Sequence, residues 1–130
     1  MISLWKQIET FIAGQDFTEA HQYHAVNIDS AGTSDQAIQV ELANAGELAV
    51  GVLQENYELT GYPVDVCISG ATLAVAGNAV TVNTFVKVDA NSRFIPVTSN
   101  NDIYAGFALT AASANGEVFL LMLRQGFYGA

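Results

Sequence analysis

Of the chain's 130 residues only 13% are Asp, Glu, Lys or Arg, against about 25% in an average soluble protein, and the balance is −9. The four cations, Lys6, Lys87, Arg93 and Arg124, are too few and too scattered to neutralise a run of phosphates, which argues against nucleic acid and anionic membranes as partners. The length suits one domain that folds without staples, and a single cysteine, Cys67, leaves no intramolecular disulfide.

In chain order, Met1, Leu4, Trp5, Ile8, Phe11 and Ile12 recur at helical spacing with Lys6, Gln7, Glu9 and Thr10 between them, and Gly14 offers a stop. This predicts a short N-terminal amphipathic helix or arm over residues 1–14, ahead of a β domain over 15–130. Because so short a helix is marginal alone in water, its apolar stripe needs a surface to dock on. The segment lacks the basic start and unbroken apolar centre of a secretion signal, and no stretch reaches the roughly twenty apolar residues of a membrane span. A soluble product made in the cytoplasm is expected.

From about Ala20 the texture is that of an all-β protein: short runs of Val, Ile, Leu, Phe and Tyr separated by Gly, Asn, Asp and Ser. Strands are predicted near 21–28, 36–42, 47–53, 63–69, 72–76, 84–88, 94–98, 103–111 and 118–123, a rhythm that suits a single-domain β-barrel or sandwich. Ile38, Val40 and Leu42 alternate with Gln39 and Glu41, and Val64, Val66 and Ile68 alternate with Asp65, Cys67 and Ser69, so each run has one wet and one buried face. Val118 to Leu123 is apolar on both faces, as in a central strand or one that a partner covers. Turns are expected at Asn44-Ala45-Gly46, at Asp89 to Ser92 and at Ala114-Asn115-Gly116.

No catalytic constellation survives a geometric test. His21 and His24 would share a face on a helix, but in a strand residues three apart point to opposite sides, and no nearby cluster supplies further metal ligands. The two histidines lie together, away from any G-x-S-x-G nucleophile elbow. Glu55 and Glu58 flank Asn56 and Tyr57 in a polar loop, where solvation is the simpler explanation. No glycine loop between 70 and 77 is followed by the Lys-Ser or Lys-Thr of a phosphate cradle. Neither metal, cofactor nor enzymatic activity is expected, and Cys67 reads as a buried, inert thiol.

The aromatic and apolar residues at the chain ends are the candidates for partner binding: Trp5, Ile8 and Phe11 at one end, Phe127 and Tyr128 at the other. Packing onto the same chain's β core is the competing reading. Together with the 118–123 run they predict an oligomer, with a trimer favoured.

The stretch from Gly51-Val52-Leu53-Gln54 through Gly61, Val64-Asp65-Val66, Gly70, Ala76 to Val80, Asp89 to Arg93, Ile103 to Leu109, Ala111-Ala112 and Gly116-Glu117-Val118 resembles the capsid decoration, or head cement, proteins of tailed phages. The similarity runs over roughly residues 18–124 and rests on glycine placement and apolar alternation. Asn83 stands where the family commonly has glycine ahead of the strand starting at Thr84, a mild departure because Asn tolerates a left-handed backbone. The N-terminal 1–14 segment is an addition to the pattern. The resemblance implies a compact β-barrel or sandwich, without catalytic residues, on the exterior of the virion capsid. It would bind the major capsid protein, often as a homotrimer, and lock neighbouring capsomers together. A particle-displayed carbohydrate- or receptor-binding β domain, with Trp5 and tyrosines as a stacking platform, is the alternative.

Overall fold

The computed structural model describes residues 5–34, 37–99 and 102–127. Among them the chain forms nine strands: β1 (Lys6–Ala13), β2 (Ala25–Ile28), β3 (Gln39–Leu42), β4 (Gly51–Leu53), β5 (Pro63–Val75), β6 (Phe85–Val88), β7 (Phe94–Pro96), β8 (Ile103–Ala108) and β9 (Val118–Phe127). One 3-10 turn, Glu19–His21, precedes β2. The all-β expectation holds.

The helix expected within residues 1–14 is not present, because residues 6–13 form β1. That strand pairs antiparallel with β5, from Lys6 opposite Gly70 to Ile12 opposite Pro63, and parallel with β3 through Ile12 and Ala13. Ile8, Thr10 and Ile12 are β-branched at alternating positions, a strand signal as good as the helical one. Seven backbone pairings along β5 satisfy the polar main chain over the whole segment, whereas a lone short helix would leave most of its end groups to water.

The thirteen-residue β5 organises everything else. On one side the pairings run β5–β4–β2–β3–β1 and return to β5. On the other they run β5–β9–β8–β6–β7, and β7 comes back to the end of β5 through a parallel bridge between Phe94 and Ala76. The buried side chains form two clusters, and the second also draws Ala25, Val52 and Cys67 from the first set of strands. Phe17, Val26, Val40, Leu53, Val64 and Val66 fill the first. The larger second core is built on Phe94, Phe119, Leu121, Val86 and a layer of alanines, with the Phe94 and Phe119 rings edge to face at 6.4 Å. Cys67 is buried in this second cluster, its Sγ–H donating to the Ser69 carbonyl, and burial pushes its pKa up.

The separate strands expected over 63–69 and 72–76 are one strand, because Gly70 is a bend within it and not a turn. Its φ of +92° is open to glycine and strained for other residues. A Cβ there would also lie 2.5 Å from the Trp5 carbonyl oxygen and 2.8 Å from the Trp5 ring. Asn83 takes the left-handed backbone expected of it, with φ +68°. The 89–92 turn forms as expected, Asp89 Oδ1 accepting from the amides of Asn91 and Arg93. The two prolines sit where a missing N–H costs little, at the start of β5 and on the outermost strand β7.

Gly70→Ala should destabilise the fold by about 2–3 kcal/mol, combining backbone strain with overpacking against Trp5. Gly46, with φ +74° but nothing within 4 Å of where a Cβ would stand, isolates the backbone part. Denaturant unfolding of Gly70→Ala beside Gly46→Ala checks this, and equal losses in the two would refute the Trp5 contribution.

Candidate functional site

The two-faced apolar strand read at 118–123 has its explanation in the register of β5, β9, β8 and β6. Phe119, Leu121 and Leu123 point into the second core, and Val118, Leu120 and Met122 point outward. Opposite these on β5 stand Val75, Leu73 and Ala71, and on β8 Phe107 stands opposite Met122. Phe85 of β6 pairs with Phe107, and its ring lies 4.5 Å from that of Tyr104. Tyr104 in turn covers Gly126 of β9.

The outcome is a continuous outward face of aliphatic and aromatic side chains across four strands. Val118 is 48% exposed, Leu73 39% and Phe85 37%, and Leu120, Met122, Phe107 and Tyr104 are half-buried. None of the outward positions on β9, β8, β6 and the Gly70–Val75 part of β5 is a carboxylate. The charged side chains among them are Arg124 at one margin and Lys87, which is paired at 2.9 Å with Asp102. In a chain of net charge −9 these strand positions carry no carboxylate of their own, and Asp102 beside them is neutralised by Lys87. A contiguous apolar patch of this kind, flanked by polar residues, is the usual mark of a protein–protein contact.

The residues proposed from the sequence fall around this face unevenly. Trp5 is 69% exposed and borders it, since its carbonyl accepts from the Ala71 amide and its ring packs on Gly70. Ile8 is exposed on β1 opposite Cys67. Phe11 is half-buried against the first core. Phe127 ends β9 opposite Ile103 in the backbone pairing, and Tyr128 lies outside the described residues. Leu73, Phe85, Phe107 and Tyr104 are additions that sequence reasoning misses. The available signal is that β5 and β9 are both apolar at alternate positions beyond what one core can use.

A second set of exposed apolar side chains, Ile38, Leu59 and Tyr62, gathers around the far end of β1, where the Ile12 and Ala13 amides donate to the carbonyls of Ile38 and Tyr62. It is separated from the four-strand face by the stretch of β5 between Pro63 and Ala71, roughly 25 Å of extended chain.

The histidines sit in neither patch. His21 ends the 3-10 turn and His24 immediately precedes β2, their ring centroids 6.1 Å apart. His24 is buried, and its two nitrogens are both engaged, with Nδ1 donating to the Gln22 carbonyl and Nε2 accepting from Arg93 Nε. No group of three potential metal ligands exists among the described residues.

These features define a small all-β protein with two sets of exposed apolar side chains. A family model described as phage cement protein matches residues 18–123, and the chain belongs to that family of virion structural proteins. The fold is similar to that of the N base of the head fiber protein gp8.5 in bacteriophage phi29, with TM-score 0.69 and 16% identity over 92% of this chain and 95% of that one. No curated protein matches the chain.

Burial holds the His24 pKa below its ordinary 6.5, and the Arg93 guanidinium pushes the same way against the bond to Gln22. The unfolded chain therefore takes up this proton before the folded one as the pH falls. The stability it contributes is complete above pH 6.5 and is lost as the pH drops from there through the depressed folded value. Denaturation midpoints should decline between about pH 7.5 and 5, and His24→Gln should flatten that slope. An unchanged slope in the variant would refute the assignment.

Proposed function

We propose that this protein is a capsid decoration protein that binds the outer surface of a phage head as a homotrimer and stabilises contacts between capsomers. The observation that carries the reading is the apolar face of β9, β8, β6 and the Gly70–Val75 part of β5, whose strands carry no carboxylate there. Copies carrying −9 each repel one another wherever their acidic surfaces meet, so the face without carboxylates is where they can pack at least electrostatic cost. Burial of Leu73, Val118 and Phe85 then contributes the non-directional attraction an oligomer needs.

The capsid contact falls to the Trp5–Ile8 edge that borders this face. Trp5 is a large, nearly free aromatic held in place by its backbone bond to Ala71, the kind of anchor that dominates protein interfaces. The major capsid protein is the partner, and family membership supports that choice.

Self-association and capsid binding can be measured separately. Leu73→Glu and Val118→Glu place a charge in the subunit interface and should weaken self-association at least tenfold, about 1.4 kcal/mol, in light scattering over a concentration series. Trp5→Ala should leave the oligomer intact and lower binding to undecorated capsids by roughly tenfold or more. Both sets of variants binding capsids like the parent chain, with folding confirmed by circular dichroism, would overturn the proposal.

A further inference from the structure

Only six side chains in the sequence can carry positive charge: Lys6, Lys87, Arg93, Arg124, His21 and His24. Three of them, His21, His24 and Arg93, line one open cavity of about 540 Å³ between the 3-10 turn and the 89–93 turn. Neither patch described above includes them. Gathering half of the basic groups of a strongly acidic chain into one cavity calls for a chemical reason.

The hydrogen bonds show how the cavity is set. Thr18 N–H donates to His21 Nδ1 at 3.0 Å, so neutral His21 carries its proton on Nε2 as an available donor. His24, with its proton held on Nδ1 by the Gln22 carbonyl, offers the Nε2 lone pair to Arg93 Nε at 3.3 Å. Asn115 Oδ1 accepts from one terminal nitrogen of the guanidinium at 2.6 Å. Arg93 is thus fixed at two points, with a second terminal nitrogen left over. Among the described residues no carboxylate lies within ion-pair distance of it, and the pair that does form is Lys87–Asp102.

The turn beneath it is equally fixed. Ser92, at φ +62°, donates its hydroxyl to the Ala43 carbonyl at 2.6 Å, and its own carbonyl accepts from the Ala25 amide at 2.8 Å. A half-buried guanidinium oriented by a neutral histidine, with no carboxylate partner among the described residues, is a pre-organised site for an anion.

We propose that this cavity binds a carboxylate, with Arg93 and His21 as the contacting donors and His24 as the residue that positions Arg93. A monoanion fits better than a phosphate, because a net charge of −9 opposes a second negative charge more strongly and the guanidinium has few donors to spare. Leu42 and Ala20 on the cavity wall suit the methylene stem that a carboxylate brings with it. The ligand is either a small free carboxylate or an acidic side chain of a docked protein. The site is independent of the capsid reading, because it belongs to the isolated chain.

The test is a titration of the isotopically labelled full chain, followed by NMR at the Arg93 side chain and at the Asn91 and Ser92 amides. The probes are sodium acetate and N-acetylglutamic acid amide, with sodium chloride and inorganic phosphate at matched ionic strength as controls. Saturable shifts with acetate, absent with chloride and weaker with phosphate, are the expected result. Acetate alone entering would indicate a small free carboxylate, and both probes entering would admit a protein side chain, so either outcome supports the site. Arg93→Gln should weaken binding roughly tenfold or more. His21→Gln, in the 3-10 turn outside the two cores, should weaken it several-fold, with folding checked by circular dichroism. Shifts that do not saturate, that chloride reproduces, or that survive both substitutions unchanged would overturn the proposal.

Discussion

The structure depends on one strand being shared. β5 runs for thirteen residues, pairing with β1 and β4 along its first part and with β9 along its second, so both hydrophobic clusters are built against the same piece of backbone. Gly70 is where the exchange occurs: Lys6 is opposite it on one side and Leu123 on the other. A side chain there would meet Trp5 and strain the backbone, so glycine is what allows the pairing of β5 with β1 to start where its pairing with β9 ends. Because the strand is continuous, the two halves share one run of backbone.

The same arrangement explains how a chain with so few charges distributes them. The outward face of β9, β8, β6 and the Gly70–Val75 part of β5 is free of carboxylates, and the acidic groups lie on the loops and on the other half of the molecule, as with Asp16 held by Thr60 and Asp65, in the first part of β5, held by Thr10. Lowering the cost of contact on one face while raising it on the others gives association a direction, which apolar burial by itself does not supply. The cavity around Arg93 is the inverse case, since three of the six basic side chains of the chain line it. Its geometry depends on His24 staying neutral, and burial keeps it so.

Much of this organisation is legible in the chain. The alternation over 38–42 and 64–68 marks strands that form, the Asp89 turn closes through its side chain, and Asn83 adopts the left-handed backbone asked of it. The double-sided apolar run at 118–123 points to the outward face on β9. Two expectations fail for related reasons. Residues 6–13 carry both a helical and an alternating pattern, and local spacing cannot choose between them when the deciding partner, β5, is more than fifty residues away. Gly70 reads as a break because a glycine's local signature is the same in a turn and in a bend inside a strand.

By itself the sequence determined the all-β class, the positions of most strands and turns, the buried thiol at Cys67, and the scarcity of cations. These follow from period-two patterning, from residues that tolerate particular dihedral angles, and from counting charges, all of which are local or additive. Only the tertiary structure decided that β1 is a strand, that Leu73, Phe85 and Phe107 share one face with Val118, and that His21, His24 and Arg93 meet around one cavity. Those are matters of register and of contacts between distant segments, such as Arg93 with His24 across 69 positions. A one-residue shift in pairing would turn each outward side chain inward, so no property of a single segment could have specified them.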